Sequence, residues 1–279
     1  MRPITLSAIA LMAAFHLFTS QPLQAKTIFV APSGIGDGSD EAHPAGNISN
    51  AASSLNPGDT LIFLDGVYHQ TLSINGLSGS KQKPVVLMAR NPGKVVIDAD
   101  TVRTNAVYIN NVNYLKVDGI EGGNSLHHAW NLLNSSYVTL SRCAGFNAGF
   151  LQGTDGHAVV TYEDNCHVFS IAYSDHILSE DMWGWGTGRY VFVYFQCSYS
   201  TIRRGVFRAD NYDRAPHAGL NIYDCNQCIA ENVIAFGTRF NPASDYMSDN
   251  DWGLVQGGMV FDDHTFPADK NKILGCFDL

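Results

Sequence analysis

Lysine is missing from the middle of this sequence: none lies between Lys116 and Lys270. Any cation or proton-transfer group in that stretch is therefore arginine, histidine, tyrosine or a carboxylate. Charge is sparse throughout, at 15% of 279 residues, and the balance is acidic, with 17 Lys and Arg against 26 Asp and Glu for a net charge of −9. Such a field does not attract nucleic acid or anionic membranes, so a polyanionic partner has to be held by a local cluster. No second Cys-x-x-Cys accompanies Cys225 and Cys228, and no alternating strand and helix pattern surrounds them, which argues against a zinc or redox role. Beyond Ala25 no apolar run approaches the roughly 20 residues that span a bilayer.

The segment 1–25 carries Arg2, an apolar stretch from Ile4 to Phe18 and a small residue at Ala25. This predicts a signal peptide over 1–25 and a secreted or periplasmic mature protein. His16, Thr19, Ser20 and Gln21 interrupt the run too early for a membrane anchor. Removing Arg2 takes the charge from −9 to −10. The remaining length suits one all-β domain over 26–279, with a cap and first coils over 26–103 and repeated coils over 104–279.

Five segments share one pattern: NVNYLKVDGI from Asn111, NSSYVTLSRC from Asn134, DNCHVFSIAY from Asp164, CSYSTIRRGV from Cys197 and CNQCIAENVI from Cys225. Each opens on a turn residue and then places residues for burial in two columns. The first column holds Leu115, Val138, Val168, Thr201 and Ile229, the second Ile120, Cys143, Tyr173, Val206 and Ile234. Short β-rich units with no helical period between them predict a solenoid in which each coil covers its neighbour. The fold expected is an all-β, single-stranded right-handed parallel β-helix, and an antiparallel sandwich gives no reason for a turn column kept in register. The same register sets Cys197 over Cys225 at the strand spacing of about 4.8 Å, near the lower end of disulfide geometry, and predicts a bridge between them. Cys143 reads as a small inward residue.

Upstream, Ile48 to Leu55 reads as a short capping helix, followed by a turn at Pro57-Gly58-Asp59 and a strand from Thr60 to Leu64; the helix covers an open sheet end. FVAPSG, PGDTLIFLDGVYH and KPVVLMARNPGKVVIDA resemble the N-terminal module of exported parallel β-helix proteins of the pectate lyase-like superfamily, a group that includes chondroitinase and alginate lyase-type polysaccharide lyases. The resemblance implies the fold and an acidic polysaccharide substrate. The lysine base of many such lyases has no counterpart in the central coils, and their Asn and paired Glu calcium ligands have no recognisable motif here. NKILGCFDL, from Asn271 to Leu279, reads as the opening of another coil, with either a continuation or a partner expected to cover it.

The turn residues are 23, 30, 33 and 28 positions apart, more than the repeated core needs. The surplus is assigned to loops at Ala144 to Gly156, Ser174 to Gly188 and Ala209 to Ala218, which project from one side and form a functional face. Arg189, Arg203, Arg204, Arg208 and Arg214, five of the seventeen basic residues, fall in or beside them. Guanidinium pairs with carboxylate or sulfate in a fork, so the cluster fits an anionic ligand; pairing with Glu180, Asp181, Asp210 and Asp213 is the alternative. Trp183 and Trp185 suit stacking on sugar rings or, equally, plugging of the core.

Cleavage of a uronate by elimination needs a cation on the carboxylate, a base and an acid. The candidates are His217, Tyr212, Arg189 and Arg204, with Trp183, Trp185, Arg208 and Arg214 binding substrate. Asp245, Asp249 and Asp251 offer oxygen ligands for calcium or form a solvated acidic loop. His127 and His128 read as surface residues. The leading expectation is a lyase acting on an acidic polysaccharide. A non-catalytic carbohydrate-binding or surface-structural β-helix is the alternative, with hydrolase or epimerase chemistry behind both.

Overall fold

Alternation of apolar β-formers with polar residues gives strands that bury every second side chain, as in Val85–Ala89 and Val95–Asp98. The computed structural model describes residues 24–149, 151–152, 158–159, 166–209, 218–237, 257–262 and 270–278. Apart from the antiparallel pair Leu151–Gln152 and Ala158–Val159, their strands form three parallel sheets. Sheet A has nine strands, from Thr27–Val30 to Lys272–Leu274; sheet B has eight, from Gly66–Tyr68 to Phe277–Asp278; sheet C has seven, from Leu72–Asn75 to Gly257–Asp262. Each coil visits A, B and C once, as in Leu115–Asp118, Ile120–Gly123 and Trp130–Leu133. This is the expected right-handed parallel β-helix, and its three-sheet coils already begin at Thr60–Phe63.

The helix spans Ile48–Ser53, with Asn47 as its N-cap accepting from the Asn50 amide at 2.8 Å. Ile48, Ala51 and Ala52 turn into the core. Ser49 Oγ donates to Thr71 O at 2.8 Å and accepts from the Ser73 amide at 3.1 Å, which ties the helix to the first strand of sheet C. An open sheet edge is thereby covered.

On sheet C, Asn110, Leu133, Ala172, Phe195, Tyr223 and Asp262 stand one above another. Coil length therefore varies: the coils that end at Ala172 and Asp262 are much longer than those that end at Leu133, Phe195 and Tyr223. The C-to-A turn column is Asn111, Asn134, Tyr173, Gln196 and Asp224, each left-handed with φ near +50°. The sequence pattern matched only its first two members. Asp164 belongs to no turn of this column, because the coil after Asn134 is one of the long ones and its turn falls at Tyr173. Cys197 and Cys225 match each other but lie one position past the column, and such a slip exchanges the faces of a strand. Thr201 and Ile229 accordingly pair with Leu178 and Thr139 on the outside, while Ile202 and Ala230 point inward beside Leu140. Tyr173, Val206 and Ile234 are likewise outside; Ile120 and Cys143 are inside as expected.

The core is built by size complementarity between two sheets. Trp130, Phe169, Phe192 and Leu220 form the inward column of sheet C, and Gly122, Gly145 and Gly184 face it from sheet B. A Cβ on Gly145 would lie 2.7 Å from the Phe169 ring, and one on Gly122 3.0 Å from Trp130 Nε1. The glycines make room for the rings.

All six cysteines are free thiols. Cys197 and Cys225 do stack, with the Cys197 amide donating to Cys225 Sγ at 3.3 Å, but no bridge joins them. Each thiol instead donates to the carbonyl two positions back, Cys197 to Phe195 O at 3.5 Å and Cys225 to Tyr223 O at 3.2 Å. Ser135 and Ser174 occupy the same column and bond Leu133 O at 2.6 Å and Ala172 O at 2.7 Å in the same way. Cysteine here does the work of a corner serine. The double variant Cys197→Ser, Cys225→Ser should therefore fold, with the wild-type thermal midpoint unmoved by dithiothreitol; a drop of the wild-type midpoint on reduction would reveal a bridge.

Candidate functional site

The lengths of the connections locate the variable side of the solenoid. In the repeated coils, A-to-B connections are very short, such as Gly119, Arg142-Cys143 and Arg204-Gly205. B-to-C connections run over 99–106, 124–129, 147–166, 186–189, 210–217 and 238–256. Insertions thus leave from the corner between sheets B and C, where a cleft would be walled. Two of the three expected loops, at Ala144 to Gly156 and Ala209 to Ala218, overlap such connections. The third overlaps one only at its end, 186–188: Ser174 to Gly188 contains the strands Leu178–Glu180 and Trp183–Trp185, so both tryptophans sit on sheet B instead of in a loop.

The tightest B-to-C connection of the repeated coils, Gly186 to Arg189, lies between two longer ones. Gly186 and Gly188 supply left-handed φ of 93° and 145°. Arg189 ends this turn with its guanidinium carbon 5.3 Å from the centre of the Tyr190 ring, a cation–π contact. Tyr190 is the top of a stack with His167 at 5.1 Å and, below that ring, His128 a further 5.2 Å on. His128 is 7% exposed, so the surface expectation for it fails: coil stacking buries the ring under His167. Burial, then the neighbouring His127, pushes the His128 pKa down to about 3, and the His167 amide donates to its Nδ1 at 3.0 Å. Burial, then His128 and Arg189, holds His167 well below the usual range as well. Both rings are neutral at pH 7, and His167 Nδ1 is buried without a hydrogen-bond partner.

Next to this stack, the outward side of sheet C carries Asn131, Ser170, Val193 and Asn221 in one row. All four are buried, and Asn131 Oδ1 and both amide atoms of Asn221 lack partners. Buried polar groups are ordinarily satisfied, so this row has unspent capacity to bind hydroxyls or water.

The other sequence candidates separate into three places. Arg204 is at an A-to-B turn, where its Nε donates to Asp181 Oδ1 at 2.6 Å and its Nη2 to Glu180 Oε2 at 2.9 Å. Arg203 also holds Glu180, at 2.7 Å. Internal pairing therefore describes these two arginines. It raises the Arg204 pKa, and the Arg204 hydrogen bond lowers that of Asp181; burial opposes the lowering of Glu180, but Arg203, Arg204 and Ser141 outweigh it. Trp183, Trp185 and Arg208 share the outer face of sheet B. Trp183 is flanked by Ala144 and Val206, Trp185 stacks on Phe146 at 5.2 Å, and Arg208 pairs with Phe236. Tyr212, Arg214, His217, Asp245, Asp249 and Asp251 lie outside the described residues.

Among the described residues, His69, Asp98 and Asp100 bring ligand atoms within 4.8 Å of one another. Asp100 is already bonded to His69 and, at 2.6 Å, to Arg103, while Asp98 receives Asn124. A guanidinium and an imidazole in place of an all-oxygen ligand shell do not fit calcium.

The histidine stack and the buried amide row escaped the sequence reading because their members are separated in the chain by whole coils of unequal length. Only the true coil lengths bring them together.

The comparisons agree with this architecture. The chondroitinase B family model matches residues 43–134. The structure of pectate lyase Pel9A superposes with a TM-score of 0.65 at 17% identity, covering 89% of this chain and 62% of that one. A rhamnogalacturonan lyase gives 0.49 at 13% identity over 89% of this chain and 67% of that one. An alginate lyase from Paenibacillus sp. str. FPU-7 gives 0.41 at 10% identity, over 90% and 99%. No curated protein matches the sequence. The chain thus has the right-handed parallel β-helix fold of pectate lyase Pel9A, and it spans 62% of the length of that protein. Among the described residues no helix is long and apolar enough to cross a membrane.

Proposed function

We propose that the protein is an exported lyase that cleaves an acidic, uronate-containing polysaccharide at the corner between sheets B and C. One observation carries the reading: Tyr190 and Ala218 are register partners on adjacent coils, and the residues preceding them in the chain are Arg189 and His217. Ala209 and Ala218, which flank Tyr212, Arg214 and His217 in the chain, are both buried.

In the proposed reaction the Arg189 guanidinium neutralises the uronate carboxylate, which acidifies the adjacent C5–H. His217, as the neutral base, takes that proton; the C5 electron pair forms the C4–C5 double bond as the C4–O bond breaks, and Tyr212 protonates the departing oxygen. Asp245, Asp249 and Asp251 are proposed calcium ligands, testable by calcium removal with EGTA. Family likeness and the carbohydrate-active neighbours support a sugar substrate; the arginine beside neutral imidazoles supports an acidic one.

Arg189→Ala and His217→Ala should each lower elimination by about 100-fold or more, since a charge-neutralising group and a base typically contribute at that level. Full activity in both would move the chemistry away from this corner.

A further inference from the structure

We propose that the outer face of sheet B is a second sugar-binding surface, on which Trp183 is the platform for a pyranose ring of the polysaccharide. The proposal rests on the carbohydrate reading above but uses none of the residues assigned to elimination.

Trp183 is 46% exposed and is the one exposed tryptophan among the described residues. The exposed tyrosines of this solenoid have a structural explanation, because their rings contact rings of neighbouring coils, and Phe277, 62% exposed, stands on the last described strand. Tyr114 and Tyr137 lie 4.6 Å apart, Tyr137 and His176 4.5 Å, His176 and Tyr199 5.2 Å. Their ring faces are occupied by the coil above or below. Trp183 breaks that rule. Its column is Glu121, Ala144, Trp183, Val206 and Ile234, so a methyl lies below it and an isopropyl group above. No other ring contacts it among the described residues.

Ala144 occupies an outward position and is nevertheless only 8% exposed. Its column neighbours Glu121 and Trp183 close over it. With a methyl and an isopropyl group as column neighbours in place of rings, the indole keeps 46% of its surface exposed, and the electron-rich face of an aromatic ring accepts the C–H face of a pyranose.

The surroundings select an acidic chain. Arg208 is exposed in the adjacent column, with Phe236 as its register partner, and its positive charge beside the platform favours an anionic polymer over a neutral one. The face is flat, as a sheet surface must be, and suits an extended polymer better than a small molecule.

Affinity electrophoresis of the full mature chain in gels containing alginate, pectate or chondroitin sulfate tests the platform. At least one polymer should retard the wild type, and Trp183→Ala should abolish most of that shift with the thermal midpoint unchanged. Ala144→Leu, which lifts the indole while retaining it, should also weaken retardation. Equal retardation of Trp183→Ala and wild type would overturn the proposal, as would a wild type that no polymer slows. A wild type that self-associates, with Trp183→Ala monomeric and equally retarded, would assign the face to contacts between copies. Unsaturated products are scored separately: retardation lost with no product in any sample leaves the platform standing and removes the lyase, and the converse removes only the platform.

Discussion

Trp130→Ala should lower the stability of the chain by about 3–5 kcal/mol, the range for truncating a fully packed large aromatic. Trp130 is 2% exposed, its Nε1 donates to Ala144 O at 2.9 Å, and its ring stacks on Phe169 at 5.8 Å. The site collapses poorly, because Gly122 opposite has no side chain to fill the void and the flanking coils are fixed by ladder hydrogen bonds. The substitution also strands a buried carbonyl. Trp130→Phe keeps most of the volume and should cost clearly less. Since coils interact mainly with their neighbours, the damage should be local and split urea unfolding into two transitions. A single transition with an unchanged midpoint would show that the column does not hold the coils together.

Acid should destabilise the protein earlier than its carboxylates alone would. His128 and His167 have folded pKa values below the usual 6.5, so the unfolded state binds protons that the folded state refuses. Their contribution is complete above about pH 6.5 and falls as pH drops below it, for His128 toward about 3, by about 1.4 kcal/mol per pH unit for each ring. Protonating His128 at Nδ1 would also break its bond from the His167 amide. The groups facing the pair are His127, Tyr190 and Arg189, and the arginine opposes a second cation. Asp100, Glu180 and Asp181 also have lowered pKa values, but their loss begins only below about pH 4. Between pH 6.5 and 4.5 the slope therefore belongs to the histidines. The urea midpoint should fall steeply over that window in the wild type and flatten in His128→Gln, His167→Gln; an identical slope in both would place the titrating groups elsewhere.

Much of the fold was legible because apolar alternation, the cap at Asn47 and the opening module are local signals. Ile48, Thr60 and the strand at Lys272 fall where the sequence places them. Register was not local. Turn columns were sought among Asn, Asp and Cys, yet the left-handed positions after Asn134 hold Tyr173, Gln196 and Asp224, which tolerate that conformation because the ladder on either side fixes it. A long coil between two short ones then shifted every later assignment. The site suffered for the same reason. Arg203 and Arg204 lie close in sequence to Trp183, Trp185 and Arg208, but they belong to a turn of the A-to-B corner, where Glu180 and Asp181 neutralise them. The arginine on the insertion-bearing side is Arg189. His128 and His167, read as isolated residues, become a pair only when Leu133 is set over Ala172.

The two proposals give two faces separate tasks: the corner at Arg189 for elimination and the exterior of sheet B for holding the chain. The first is the central claim. Its most direct test is mass spectrometry of the oligosaccharides released when the mature protein is incubated with alginate, pectate and glycosaminoglycans. Elimination predicts fragments carrying a new unsaturated end and lighter by one water than hydrolysis products, with none formed by Arg189→Ala. Saturated fragments, or polymer that is bound and never shortened, would contradict it.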